Sequence, residues 1–248
     1  MIFAVHLSDG AIATPWLIGG FVGAAILLLI ACFRLTEEWI PRIGVLSAAF
    51  FVASSLRIPF AIIPTSVHPI LNGPVGVILG RRAPLAITIG LVLQYFLVAH
   101  GGLTTLGLNA CIIGIPAVAA GWLYPVLRKA GMPTFLRGAI LGGSAVAASA
   151  IIDYFVLLAG GKEDWIALAR LVLVAHVPIV IVEGLLLGVI VQYVEKVKPE
   201  LLRAQSATAS APGDVPREEA PTPPPRTTDN TRSSGDTGSS PPATSRAR

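Results

Sequence analysis

The chain is short of charge. Only 13% of its 248 residues are Asp, Glu, Lys or Arg, against roughly 25% in a soluble domain, which excludes an ordinary water-facing surface. Cysteine is equally scarce. Cys32 and Cys111 lie far apart inside apolar runs, so neither a disulfide framework nor a CxxC site is indicated, and each behaves as a small hydrophobe. Met1–Gly10 lacks the basic region, apolar stretch and small-residue cleavage site of a secretory leader, and the first apolar run is therefore expected to stay as a span. No GxxxxGK[ST] phosphate loop, HExxH helix or nucleophile elbow occurs, so any ATP must be hydrolysed by another chain. The net charge of +4 and pI of 9.4 do not point to nucleic acid, because Lys and Arg sit at the ends of apolar segments rather than along one stripe.

What fills the chain is hydrocarbon: 54% of residues are hydrophobic and the mean hydropathy is +0.74. Ala11–Phe33 holds no Asp, Glu, Lys, Arg or His and exceeds the roughly 20 apolar residues that a membrane-crossing helix needs. Further apolar segments lie near Ile43–Ile63, Val67–Gly80, Ala83–Ala99, Leu103–Leu127, Phe135–Gly160 and Ile166–Val194. The expected fold is an all-α, polytopic membrane helix bundle with about seven transmembrane segments. Val67–Gly80 is short and holds Pro69, Gly73, Pro74 and Gly76, which predicts a broken or tilted helix buried among the others. Arg34 with Arg42, Arg81 with Arg82, Arg128, Lys129 and Arg137, and finally Lys196, Lys198 and Arg203 fall in alternate connections. Because cytoplasmic loops are enriched in Lys and Arg, the N-terminus is expected outside and the C-terminus in the cytoplasm. Residues 1–10 then form an outer N-terminal loop, 11–198 the bundle, and 199–248 a Pro-, Ser- and Thr-rich cytoplasmic tail expected to be disordered.

The chain has four histidines, and the charge-derived topology puts His6, His68 and His100 at the same outer face. Imidazole is the commonest side-chain ligand for nickel, cobalt, zinc and copper. An interfacial histidine also commonly caps a helix or bonds a carbonyl, and no HxxxH or CxxC clamp is present. The residues alone narrow a metal site to a face, not to a metal.

Three stretches carry a resemblance: Val5-His-Leu-Ser-Asp-Gly10, Pro64-Thr-Ser-Val-His-Pro-Ile-Leu-Asn-Gly-Pro-Val-Gly76 and His100-Gly-Gly-Leu-Thr-Thr-Leu-Gly-Leu-Asn109. They resemble the motifs of the CbiM/NikM family, and His176-Val-Pro178 with Glu183-Gly184 resembles that family's last helix. The likeness covers nearly all of residues 5–195, and the tail has no counterpart. The resemblance implies the substrate-capturing membrane component of an ATP-driven energy-coupling-factor importer of nickel or cobalt in a bacterial inner membrane, a transport component and not an enzyme. The implied partners are a transmembrane coupling subunit, ATP-binding cassette ATPase subunits, membrane lipid and a small accessory membrane subunit, with no nucleic acid. The implied metal ligands are the terminal amine, the backbone nitrogen and imidazole of a second-position histidine, here His6, and a loop histidine, here His68. Fused chelate rings plus a fourth nitrogen make a square-planar set that suits Ni(II). His100, Asn72, Asn109, Thr65 and Ser66 are then expected to orient those ligands. Met1-Ile-Phe-Ala4 precedes Val5-His6 and departs from the family pattern. Translation is therefore expected to start at position 5.

Charges within apolar segments are costly, about 2.5 to 3.5 kcal/mol each at mid-helix on insertion scales. Arg57, Asp153 and Arg170 fall near the outer ends of their segments, and an intramembrane ion pair among them is expected to brace the pocket. The alternative is that the arginines reach headgroups while Asp153 faces water. Glu183 lies near the middle of the last segment, where it is protonated, hydrogen-bonded or part of a proton path. Gly19 with Gly23 and Gly138 with Gly142 allow close helix approach, either inside the bundle or toward the coupling subunit. The rival functions are a stand-alone secondary metal carrier, which lacks the support of a clear inverted repeat, and a metal-dependent membrane enzyme.

Overall fold

The computed structural model describes residues 7, 9–56, 58–59, 66–163 and 165–202. The chain divides into Met1–Ala211 and Pro212–Arg248, and every described residue belongs to the first unit. The architecture there is helical: α1 (Thr14–Cys32), α2 (Trp39–Ser55), α3 (Asn72–Leu79), α4 (Ala83–Val98), α5 (Leu106–Lys129), α6 (Thr134–Gly160), α7 (Ile166–Ala175) and α8 (Val177–Val197). A two-residue antiparallel pair, β1 (Ile58–Pro59) and β2 (Ser66–Val67), joins Ile58 to Val67 and Pro59 to Ser66. Prolines 15, 84 and 178 stand in the first turns of α1, α4 and α8, where the missing N–H is not needed.

Among the described residues, five helical stretches are long and apolar enough to cross a membrane: Thr14–Cys32, Asn72–Val98, Leu106–Lys129, Thr134–Gly160 and Ala169–Val197. Trp39–Ser55 is apolar but only 17 residues long. Large apolar side chains such as Leu29, Phe96, Trp122 and Tyr193 point outward, an arrangement suited to lipid. Helix association in lipid relies on close packing by small residues, and α6 meets α8 in this way. A Cβ on Gly142 would fall 2.6 Å from the Glu183 carbonyl oxygen, and one on Gly138 would fall 2.8 Å from the Gly188 Cα. Gly138 and Gly142 thus pack inside the bundle, whereas Gly19 has nothing within 4 Å of its Cβ position.

The stretch Asn72–Val98 is not one straight helix. Gly76 lies against Ala117 and Gly80 against Gly121, yet Pro84 is back beside Gly114. The chain therefore reverses at Gly80, whose φ of 55° and ψ of −126° suit a residue without a Cβ. At eight residues, α3 is about 12 Å long, less than half the hydrocarbon thickness. The segment expected over Val67–Gly80 is broken, as its prolines and glycines foretell: it begins as extended backbone through His68 and ends as a half-helix buried against α5 and α6.

The basic connections gather at the end of the bundle where α3 turns into α4. Arg81 donates to the Phe33 carbonyl at 2.8 Å and Arg82 to the Arg34 carbonyl at 3.2 Å, while the Arg82 guanidinium stacks 4.0 Å from the Trp39 ring centroid. Arg137 pairs with Glu195 at 2.5 Å, the single ion pair among the described residues, and Glu195 also accepts from Tyr124 and Thr134. The bundle runs past its expected limit at residue 198. Leu202 is 2% exposed and packs with Tyr124 and Val191, because Leu201-Leu202 is an apolar pair that the composition of the tail conceals.

Candidate metal site at the histidine end

The opposite end of the bundle holds His68 and His100. His68 follows β2 directly and is 1% exposed. His100 follows α4, where Ala99 (φ 50°) and Gly101 (φ 82°) turn the chain sharply. The two imidazoles meet edge to face, with ring centroids 5.5 Å apart. Residues 32 apart are thus brought together by the α3–α4 hairpin.

The N-terminal segment is bound to the same end. The Leu7 N–H donates to Asn109 Oδ1 at 3.0 Å, while Asn109 Nδ2 and Thr105 Oγ1 donate to the Leu7 carbonyl at 3.1 and 2.5 Å. Leu7 is 4% exposed, so these bonds satisfy backbone groups that water cannot reach. Two residues on, Asp9 accepts from the Thr104 N–H at 2.8 Å, the Thr104 hydroxyl at 2.5 Å and the Leu103 N–H at 3.2 Å, just ahead of α5, where the helix dipole also favours a carboxylate. Slight burial raises the Asp9 carboxyl, but the bonds from Thr104, Leu103 and Thr105 outweigh it and hold the group below its ordinary value. Gly102 must be glycine for this contact, since a Cβ there would lie 2.4 Å from Asp9 Oδ1.

The remaining sequence candidates divide. Asn72, four residues after His68, is fully buried and donates to the Ala145 carbonyl at 3.1 Å and to Ser149 Oγ at 2.9 Å. Ser149 in turn donates to the Ile112 carbonyl at 3.0 Å, so Asn72 ties α3 to α5 and α6. Ser66 lies in β2, paired with Pro59. His6, Thr65 and Arg57 lie outside the described residues. Asp153 is 1% exposed and Arg170 is exposed, and no ion pair joins these two. Arg170 points outward from α7 while Asp153 is turned into the bundle, with Oδ1 lacking a hydrogen-bond partner among the described residues. Among the described residues no group of three or more His, Cys, Asp and Glu assembles.

The partners of two carboxylates are not legible in the sequence. Asp9 stands inside the first motif, and its role needs Leu103 and Thr104, residues remote in sequence. Glu183, 1% exposed on α8, accepts from the backbone N–H groups of Ile70 and Leu71. A carboxylate in mid-segment was the available signal. Its partners, 113 and 112 positions away, are backbone atoms that no side-chain pattern reveals.

Residues 6–201 match the family described as the cobalt uptake substrate-specific transmembrane region, CbiM. The chain belongs to the CbiM family. It is a multi-pass membrane protein of a metal-transport family. This CbiM-family chain is 33% identical over 201 residues to a Haemophilus influenzae protein named for metal transport, covering 80% of this chain and 97% of that one. It is 28% identical over 218 residues to a Methanocorpusculum labreanum protein named as a fused cobalt transport protein CbiMQ, covering 79% of this chain and 36% of that one. The fold is shared with a crystal structure of a transition metal transporter, at a TM-score of 0.69 and 20% identity over 83% of this chain and 100% of that one.

Proposed function

We propose that this chain captures Co(II) or Ni(II) at its histidine end, on the outer face of the membrane, as the substrate-binding component of an ATP-driven energy-coupling-factor importer. The supporting observation is the docking of Leu7 by Asn109 and Thr105. It holds the residue bonded to His6 at the bundle end where the His68 and His100 rings meet. In this reading the terminal amine, the backbone nitrogen and the imidazole of His6 join His68 around the metal. Such a set of nitrogens suits both ions, with nickel above cobalt in the usual affinity order. The amine ligand requires a mature chain that begins directly before His6.

Asn109, Thr105 and Asp9 fix the N-terminal segment, and His100 packs its ring against His68. Asn72 secures the half-helix that follows His68. The gathering of Arg34, Arg81 and Arg82 at the other end supports the orientation, with that end in the cytoplasm. Association with a further transporter subunit draws support from the relative named as a fused CbiMQ protein, of which this chain covers 36%. A proton-coupled carrier finds no support in Glu183, whose carboxylate is engaged by two backbone donors.

Binding of Co(II) and Ni(II) to the purified full chain, followed by uptake into vesicles with and without the ATPase module, tests the reading. Binding lost in His6→Ala and His68→Ala, with uptake that needs ATP and the ATPases, is the expected result. Uptake driven by a proton gradient alone would refute it.

A further inference from the structure

Three residues, Pro69, Ile70 and Leu71, link His68 to α3. Proline has no N–H, so this link owns just two backbone donors, and both end on Glu183. Oε1 accepts from Ile70 and, at 3.0 Å, from Leu71; Oε2 accepts from Leu71 at 2.9 Å. The link is not held by local preference. Leu71 sits in the left-handed region at φ 52°, a conformation unfavourable by about 1–2 kcal/mol for a residue with a Cβ. No Lys or Arg pairs with Glu183 among the described residues, so the carboxylate is spent on this backbone. Glu183 is itself set by close packing, since its carbonyl oxygen is 2.6 Å from where a Cβ on Gly142 would stand.

We infer that Glu183 is a positioning residue for metal capture: by gripping the Ile70 and Leu71 N–H groups from α8, it fixes the backbone that presents His68. The inference rests on the proposed function, in which His68 is a ligand. It gives the carboxylate a job of hydrogen-bond acceptance, and neither proton transfer nor electrostatic attraction of the cation. One oxygen, Oε1, already receives both donors, and Oε2 only shares the Leu71 N–H, so a glutamine with its carbonyl at Oε1 and its NH2 turned from the Leu71 N–H serves, whereas an alanine or a shortened aspartate does not.

The test is equilibrium binding of Co(II) to the full-length chain in detergent, read together with the visible absorption spectrum of bound Co(II), which reports ligand geometry. Removal of a group that orients a ligand typically weakens metal binding about 10- to 100-fold, and Glu183→Ala is expected to fall in that range with an altered spectrum. Glu183→Gln is expected to stay within about threefold of the parent with the parent's spectrum, because acceptance is retained. Where the alanine variant fails to fold, Glu183→Asp replaces it: one methylene shorter, it keeps the charge but withdraws the oxygens, and weakening is again expected. Three results overturn the inference. If the alanine and aspartate variants bind as the parent does while His68→Ala abolishes binding, Glu183 has no positioning role although His68 remains a ligand. If glutamine weakens binding as much as alanine, charge and not position is what Glu183 supplies. If His68→Ala leaves binding and spectrum unchanged, the proposed site falls, and the role of Glu183 falls with it.

Discussion

Asn109→Ala strips the N-terminal segment of two of its fastenings and leaves the bundle otherwise intact. In the parent, Leu7 N–H and Leu7 C=O both bond to the Asn109 amide, at 3.0 and 3.1 Å. The carbonyl keeps Thr105 Oγ1 in the variant, but the N–H is left without a partner at a residue that is 4% exposed. An unsatisfied buried donor costs about 1–3 kcal/mol. Taking about 2 kcal/mol, the docked state loses about 30-fold in population relative to undocked states. If only the docked segment presents His6 to the metal, apparent affinity falls by up to that factor, since affinity scales with the competent fraction. Thr105→Val removes one bond to a Leu7 carbonyl that retains Asn109, along with the longer bonds to Gly102 and from Asn109, and about fivefold is expected from the short Leu7 bond. Titration with Co(II), alongside amide hydrogen exchange at Leu7, measures both terms. Fast exchange at Leu7 with undiminished affinity would refute the link between docking and capture; slow exchange in Asn109→Ala would refute the docking itself.

Gly142→Ala places a methyl 2.6 Å from the Glu183 carbonyl oxygen, forcing α6 and α8 apart at a cost of about 1–3 kcal/mol, visible as a lower thermal unfolding midpoint in detergent. Arg137→Ala leaves Glu195 with Tyr124 and Thr134 alone and is expected to lower stability by about 1–3 kcal/mol without altering metal affinity. Arg137 and Tyr124 are in contact, and Tyr124 lies fifteen residues along α5 from Asn109, about 22 Å away. Asp9 is held below the ordinary carboxylate range, so its contribution is complete above that ordinary value and is lost as pH falls through the lower folded one. Asp9→Asn should therefore weaken N-terminal docking equally at pH 6 and pH 8, as followed by hydrogen exchange at Leu103 and Thr104. A variant effect that grew between those two values would show that some other group controls the docking.

The helical bundle is legible in the sequence because the hydrocarbon imposes length and composition on each segment separately. Ala11–Phe33 and Phe135–Gly160 read directly as α1 and α6. The break in Val67–Gly80 was signalled by local chemistry, Pro69 and Pro74 beside Gly73 and Gly76, and the structure resolves it as extended backbone followed by a half-helix. Basic residues in alternate connections put His68 and His100 on one face, but the contact of their rings is not legible from topology. Less could be read of what holds these parts. Asn109 is among the residues expected to orient ligands, but that its partner is the Leu7 backbone beside His6 is not legible in the sequence. For Glu183 the sequence leaves protonation, hydrogen bonding or a proton path open; the structure has the hydrogen bonding, to Ile70 and Leu71 N–H groups that no side-chain pattern names. Both depend on which backbone donors are left over after the helices have taken theirs, a quantity that emerges only when segments a hundred residues apart come together. Of the ion pair expected among Arg57, Asp153 and Arg170, Arg57 lies outside the described residues and Asp153 does not pair with Arg170: sequence depth placed both near one end but could not say which way each faced around its helix.

Cobalt K-edge X-ray absorption of the full-length chain loaded with one equivalent of Co(II) tests the capture site most directly. A nitrogen-dominated first shell at about 2.0–2.1 Å, with outer-shell scattering from two imidazoles, is expected. Loss of one imidazole contribution in His68→Ala would match the assigned ligand set. An oxygen-only shell, or a spectrum that His68→Ala leaves unchanged, would contradict it.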